Sequence, residues 1–354
     1  MQGESRHEVP FVLTNAIIGN PPYQITIDSQ RGLASQLFPE FIKLGISMKP
    51  RYFSLITPSR WFTAEAQDGS FVKLREELKA HKHFRKIFNF SNTNEVFDKV
   101  EIAGGVNYFL YEEKFNGNVL FVSVLNGERT ESYRPLFEEG LDIIISDSNT
   151  YKILERIRQK GFKPMMDLTT GRDAFGISGK KEKVESISQA TPFDDALELR
   201  CAHEEIRYIS RGEATKSVEI IDKWKVFTSK GNGGAGTLGD GKPVMIIGKA
   251  YIGTPGSVCT DSLLPFGNFD SKEEALNLQK YMQTKFFRYC VGILKTSQNL
   301  YQIVYKFVPQ QDFTNDGDID WSKSLSDIDN QLYIKYGLEP SEISYIESII
   351  RPMV

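Results

Sequence analysis

Ala16-Ile17-Ile18-Gly19-Asn20-Pro21-Pro22-Tyr23-Gln24 decides how the first third of this 354-residue chain is read. An apolar run of the kind that forms a strand ends directly in Asn-Pro-Pro-aromatic. That succession suits the handling of a flat amino group. An exocyclic NH2 on an aromatic ring is a poor nucleophile, because its lone pair is delocalised into the ring. Two acceptors beside its hydrogens, the Asn20 side-chain oxygen and the Pro21 carbonyl, would draw the nitrogen towards sp3 geometry and receive its developing positive charge. Pro21 and Pro22 fix φ and hold that carbonyl in place. Tyr23 offers a ring face on which a planar base can stack. A rigid Pro-Pro turn after a core strand is the plainer reading, and Asn-Pro alone would support nothing more. The full tetrapeptide at a strand end does.

Strand and helix patterns alternate around this loop. Leu33 to Ile46 has apolar residues at 33, 37, 38, 41, 42, 44 and 46, which predicts a helix interrupted in its first turns by Pro39. Tyr52 to Ile56 reads as a buried strand closed by Thr57-Pro58, and residues 70–81 as a charged amphipathic helix. Lys86 to Phe90, Glu101 to Tyr111 and Asn118 to Val124 read as further strands. The alternation predicts a doubly wound sheet. The middle third lacks a comparable period. Gly231 to Gly241 reads as a flexible connector that matches neither phosphate-loop spacing nor strand–loop–helix context. A short strand is expected at Val244 to Ile247. After Ser271 a helix of more than twenty residues is expected, with Ser271 as N-cap and acidic residues in its first turn. From Leu325 two short helices join near Gly337 and Pro340.

Composition narrows the class. Hydrophobic content of 40% and charged content of 25% are ordinary for a globular protein. No apolar run reaches the roughly eighteen residues of a membrane span. The N-terminal MQGESRHEV has no basic-then-apolar signal pattern. Cys201, Cys259 and Cys290 are odd in number and far apart; they fit a reducing cytoplasm and read as buried small hydrophobes. His7, His81, His83 and His203 lack metal spacing, and His81 and His83 would point apart on a helix, so no metal is expected. No Ser–His–acid order stands out. Nor does the acidic pair plus lysine of restriction nucleases, although Glu182 and Glu185 leave that open. The formal charge of −3 is an average: residues 151–183 carry nine basic against four acidic side chains. Such a stretch suits a cleft that grips phosphates, and a solvated helix face explains it equally well.

IIGNPPYQ (17–24) resembles the catalytic motif of amino-methyltransferases that use S-adenosylmethionine, above all the DNA adenine-N6 methyltransferases. Methylases of RNA guanine and protein glutamine carry the tetrapeptide too. SLITPSRWF (54–62) and NEVFDKVEIAGGVNYFLY (94–111) extend the likeness. So do SVCTDSLLPFGNFDSKEEALNLQKYMQTKFFRYCVGILKTSQN (257–299) and the tail DNQLYIKYGLEPSEISYIESIIRPM. Over nearly the whole chain this resembles the gamma-ordered adenine methyltransferases of bacterial restriction-modification systems. The resemblance implies an α/β fold: an incomplete Rossmann-like methyltransferase sheet over 1–145, an α+β target-recognition domain over 146–310, and a helical C-terminal tail over 311–354. It implies site-specific methylation of adenine N6 in double-stranded DNA by base flipping and direct transfer. Asn20, Pro21, Pro22 and Tyr23 would be catalytic, and Phe97 would sandwich the adenine with Tyr23. The alternative for Phe97 is a core aromatic at a strand start. Arg172, Lys180, Lys181 and Lys183 would contact phosphates, with Arg172 or a nearby polar residue reading a base edge. Lys285, Arg288, Gln298 and Asn299 would be further DNA-facing residues, whereas Phe286 and Phe287 read as helix core. Solubilising surface charge explains any one of the cations equally well.

One departure puts the simplest form of this in doubt. In the gamma order a Phe-x-Gly-x-Gly turn and a ribose-binding acidic residue precede the catalytic loop. Only nineteen residues precede Asn20 and none contains such a turn. The chain therefore reads as the base-handling and recognition portion without the half that binds S-adenosylmethionine. Strand 15–19 is then expected to be an exposed apolar edge. Residues 1–12 folding across it, strands from a second polypeptide, and a longer parent enzyme all stay open. A DNA-recognition module or subunit that is catalytically silent alone is the competing reading, and an RNA or protein methylase a third.

Overall fold

The structure, a computed structural model, describes residues 15–28, 33–64, 66, 68–100, 102, 104–231, 238, 243–295 and 298–353. Residues 1–12, and all of the Gly231–Gly241 connector except 231 and 238, lie outside them. The chain divides into two compact units, Met1–Ser148 and Asn149–Val354.

Unit 1 is a mixed α/β layer. Its strands are β1 (Ala16–Gly19), β2 (Gln24–Asp28), β3 (Leu33–Gln36), β4 (Tyr52–Pro58), β5 (Phe84–Phe90), β6 (Val106–Glu112), β7 (Val119–Leu125) and β8 (Glu128–Arg134). Its helices are α1 (Phe38–Ser47) and α2 (Ser70–Leu78). Six strands form one sheet in the order β1-β4-β6-β5-β7-β8. β1 runs parallel to β4 and β5 parallel to β7, while β6 is antiparallel to both β4 and β5, and β8 to β7. The α/β class expected from the alternation is present, with a mixed rather than all-parallel sheet. Among the described residues β5 and β6 are linked by one 3-10 turn, Thr93–Glu95, and no α-helix, and Asn126-Gly127, both at positive φ, closes the β7–β8 hairpin as a two-residue turn.

The helix expected from Leu33 begins only at Phe38. Residues 33–36 instead pair with β2 as a small hairpin, Gln24 opposite Gln36. Pro39 falls in the first turn of α1, where a missing N–H costs nothing. α1 buries Phe38 and Ile42 against the core and brings Gly45 onto Phe53, where a Cβ would lie 2.2 Å from the ring. α2 adds Phe71, Leu74 and Leu78 to the same core. Its Arg75, also buried, donates to the Trp61, Ala64 and Asp142 carbonyls and so fixes the chain after β4. His81 and His83 follow α2 in a loop, not on a helix, with ring centroids 5.9 Å apart. Among the described residues no group of three or more His, Cys, Asp and Glu side chains could hold a metal.

Unit 2 carries α3 (Ser148–Gln159), α4 (Lys181–Ile187), β9 (Ser188–Gln189), β10 (Leu197–Arg200), β11 (Ile206–Ile209), β12 (Trp224–Ser229), β13 (Ala250–Gly253), β14 (Ser257–Cys259) and β15 (Leu263–Phe269). The helices α5 (Lys272–Gln283), α6 (Lys285–Leu294), α7 (Leu325–Lys335) and α8 (Pro340–Ile349) follow. The strands form a four-stranded sheet, β14-β10-β11-β9, and a three-stranded one, β13-β12-β15. Val244 makes one bridge to Ile350 rather than the expected strand. Ser271 caps α5 through Glu274 N–H as expected. The single long helix is broken, however, at Thr284, which has extended φ/ψ of −63° and 151°. Its hydroxyl accepts from Phe287 N–H, and the Asp329 carboxylate accepts from the Lys285 and Phe286 N–H groups. Phe286 and Phe287 are fully buried, as expected of helix core. The three cysteines are free and buried. Among the described residues no helix is long and apolar enough to cross a membrane.

Candidate active site

Asn20–Tyr23 leaves β1 at its C-terminal end. Gly19 pairs with Leu55, so Asn20 emerges just short of the end of β4 at Pro58. Pro58 and Phe90 both pair with Val106, the first residue of β6. The C-terminal ends of β1, β4 and β5 therefore share one end of the sheet, and loop 91–105 with Phe97 rises from it too. Ligands of open α/β sheets bind beyond the carboxyl ends of strands. β1 and β5 are three strand spacings apart, about 14 Å, so the two loops flank that end rather than touch at their roots.

Within the tetrapeptide, Asn20 and Pro22 are exposed, Pro21 is buried and Tyr23 is half-buried. Neither the Asn20 amide nor the Pro21 carbonyl has a hydrogen bond to a described residue. Tyr23 packs edge-on against Phe38, with ring centroids 6.3 Å apart at 81°. Its hydroxyl is buried without a partner among the described residues, and burial raises its pKa. The Phe97 N–H donates to Thr93 O, and Thr93 Oγ1 exchanges hydrogen bonds with the Ile102 backbone, which closes the loop on itself. The ring of Phe97 is half-buried and makes no ring contact with Tyr23.

Between the two loops lies a polar network that sequence reasoning missed. Ser59 Oγ donates to Asn89 Oδ1 at 2.6 Å, and the Asn107 amide donates to Thr57 O, Thr57 Oγ1 and Ser59 Oγ at 3.1–3.3 Å. Asn89 in turn donates to Ser146 O. All four residues are buried at the strand ends, and Asn107 Oδ1 has no described partner. A usable signal was present: an asparagine stands among apolar neighbours at both 89 (Phe88, Phe90) and 107 (Val106, Tyr108). Buried amides in such positions need partners, and their network locks the ends of β4, β5 and β6 together.

β1 is the outermost strand of the sheet among the described residues, and Ile18 on it is 84% exposed. The apolar edge anticipated from sequence is present. The other flank of α1 exposes Phe41, Leu44 and Met48 in one stripe.

The candidate DNA-contacting residues divide. Arg172, Lys180, Lys181 and Lys183 are exposed in unit 2; Arg172 lies 3.7 Å from Asp261 and Lys181 3.8 Å from Glu185. Arg288 is not available to DNA. It is 1% exposed and donates to the Thr284 and Arg351 carbonyls, and burial lowers its pKa to about 10. The helix that carries it is apolar on nearly every side, which its charge concealed. Lys285 is largely covered and bridged to Glu347, whereas Gln298 and Asn299 are exposed.

Residues 15–97 match the family described as Eco57I restriction-modification methylase. Over 151 residues the chain is 32% identical to an uncharacterized adenine-specific methylase of Mycoplasma pneumoniae, an alignment that covers 41% of this chain and 34% of that protein. The chain thus spans about a third of the length of that relative. Two solved structures align over 94% of the chain. The type IIG restriction endonuclease BpuSI does so at 12% identity, with 52% of its chain covered and a TM-score of 0.39. The type IIL restriction-modification enzyme MmeI in complex with DNA does so at 10% identity, with 56% covered and a TM-score of 0.41.

Proposed function

We propose that this chain is the base-handling and DNA-contacting portion of a restriction-modification DNA methyltransferase that acts on adenine N6. The observation that carries the reading is the placement of Asn20–Tyr23, inside the segment that matches the methylase family, at the ligand-binding end of the sheet with both acceptors unengaged. The target adenine leaves the duplex, because its amino group is out of reach inside the stack. Tyr23 and Phe97 hold its faces. Asn20 Oδ1 and Pro21 O accept the two amino hydrogens and free the nitrogen lone pair for direct methyl transfer. Arg172, Lys180, Lys181 and Lys183 contribute phosphate contacts.

S-adenosylmethionine supplies an electrophilic methyl group in this class of reaction. The described residues fit the amino side of that chemistry. They hold no glycine-rich turn beside β1, so donor binding is assigned to none of them. Strands pairing with β1, from a second polypeptide or from further sequence, would complete the sheet and cover Ile18.

The test is transfer of labelled methyl groups to duplex DNA, with product analysis for N6-methyladenine. Asn20→Ala is expected to abolish incorporation and to leave DNA binding within about twofold. Undiminished methylation by that variant would remove Asn20 from the mechanism. The open β1 edge favours one second reading, a recognition subunit that is silent without its partner. Calorimetry separates the two: micromolar binding of S-adenosylmethionine by the chain alone contradicts the silent subunit, and no binding supports it.

A further inference from the structure

A cleft of about 650 Å³ in unit 2 is lined by residues with no role so far, Asn299 apart. Its walls are the end of β10 with residues 200–204, the end of β12 with residues 229–231, Lys249 and Tyr251 of the β13 segment, Ser262 and Asn299. β12 and β13 pair antiparallel through Thr228 and Ala250, so Lys230 and Lys249 leave the same end of one ladder. Both line the cleft. Neither forms an ion pair with a described residue, unlike Lys181, Lys216, Lys223, Lys285 and Lys335 of the same unit. Arg200, also on the wall, is held by Glu198 at 2.6 Å.

The wall is rigid. His203 and Glu204 are both in the left-handed region, at φ 57° and 63°. Non-glycine residues adopt that conformation only where their surroundings enforce it. Cys201 N–H donates to Glu205 O across this turn, and Tyr251 Oη donates to Glu204 Oε1 at 2.7 Å. Glu204 is the cleft's one carboxylate and is engaged by that hydroxyl. Opposite, Lys230 N–H donates to Ser262 O and Leu300 N–H to Lys230 O, while Gly231 bridges to Asn299. Lys249 Nζ lies 5.7 Å from the Tyr251 ring centroid.

Uncompensated cations on a concave protein wall focus a positive potential and concentrate anions. Two of them at the same end of one ladder, with Ser262 and Asn299 on the same wall, match a repeating anion better than a single carboxylate. We propose that this cleft seats the phosphodiester backbone of the DNA strand, with Lys230 and Lys249 as its phosphate contacts. The proposal rests on the DNA-methyltransferase reading and adds to it where the backbone is gripped.

The experiment is fluorescence anisotropy of a labelled 20-base-pair duplex with the full chain over a range of salt. The wild type is compared with Lys230→Ala/Lys249→Ala and with a charge-matched control, Lys73→Ala/Lys272→Ala, at exposed positions on α2 and α5. Each lost phosphate contact lowers the slope of log K against log salt by about one. The cleft variant is expected to lose about two units of slope and to weaken binding alike on every duplex sequence, while the control keeps the wild-type slope. Equal slopes for cleft variant and wild type, or an equal loss in the control, would overturn the cleft assignment and leave the DNA reading standing. A wild-type chain that binds no duplex would overturn both.

Discussion

The Leu37 N–H donates to the Tyr23 carbonyl at 3.0 Å. Through that bond the chain leaves the Asn20–Tyr23 tetrapeptide, makes the β2–β3 hairpin, and returns to the residue it left before starting α1. Tyr23 is therefore fixed on two sides, by its backbone to Leu37 and by its ring edge to Phe38 at 6.3 Å.

Tyr23→Phe should be tolerated. The hydroxyl is buried with no described partner, so its removal relieves a desolvation cost. Stability should stay level or rise by up to about 1 kcal/mol in urea unfolding. A loss of more than that would mean the hydroxyl has a partner that this arrangement does not supply.

Gly45→Ala should destabilise unit 1 by about 1–3 kcal/mol, the usual penalty of overpacking. The new Cβ would stand 2.2 Å from Phe53 Cζ, and α1 would have to move off β4. Adding Phe53→Leu should return part of the loss. Denaturant midpoints of the two single variants and the double variant form the cycle that checks this.

Asp68 sets an acid limit. Burial alone would raise its pKa, yet hydrogen bonds from Ser70, Gln36 and Ser35 hold it down to about 2. Its folded value lies below the unfolded one, near 3.9, so between these values the unfolded chain binds more protons. Its contribution is thus fully present above about pH 4 and is lost as pH falls through 2. Because its carboxylate ties Ser35 and Gln36 to the start of α2, the hairpin beside Tyr23 loosens with it. Thermal midpoints from pH 5 to 2 should fall less steeply in Asp68→Asn than in the wild type.

The break between α5 and α6 should depend on two side chains. Thr284→Ala removes the N-cap of α6 and should cost about 1 kcal/mol. Asp329→Ala strands the buried Phe286 N–H and the part-buried Lys285 N–H and should cost more, about 2–3 kcal/mol. Both act on one helix terminus, so their effects should not add. Chemical denaturation of the single and double variants reads this directly.

Much of unit 1 was legible in the chain itself. The apolar run ending in Asn20–Tyr23, the strands read at 52–56 and 86–90 and the helix read over 70–81 follow from periodicity and turn residues, and they appear as β1, β4, β5 and α2 with ends shifted by up to three residues. The solvent-facing edge of β1 was expected instead from the resemblance, which sets a further strand beside it. The capped start of α5 at Ser271 and the α7–α8 pair could also be read from local pattern. Local chemistry suffices in these cases because side-chain spacing and capping residues act within a few positions of one another.

The remainder required distant residues to meet. Leu33–Gln36 carries a helical pattern but forms a strand, because β2 offers a partner and Asp68 accepts from Ser35 and Gln36. The helix after Ser271 breaks at Thr284 because Asp329, more than forty residues on, satisfies the amides that the break exposes. Arg288 looked like a phosphate contact and is buried against main-chain carbonyls. The Thr57–Ser59–Asn89–Asn107 network, and the placing of Lys230 beside Lys249, join residues from separate strands. By itself the sequence determined which residues could accept an amino group, since that is a property of Asn20 and Pro21. Only the tertiary structure decided which cations face a cleft and which are buried, because charge is written in the residue but burial and pairing are set by what packs around it.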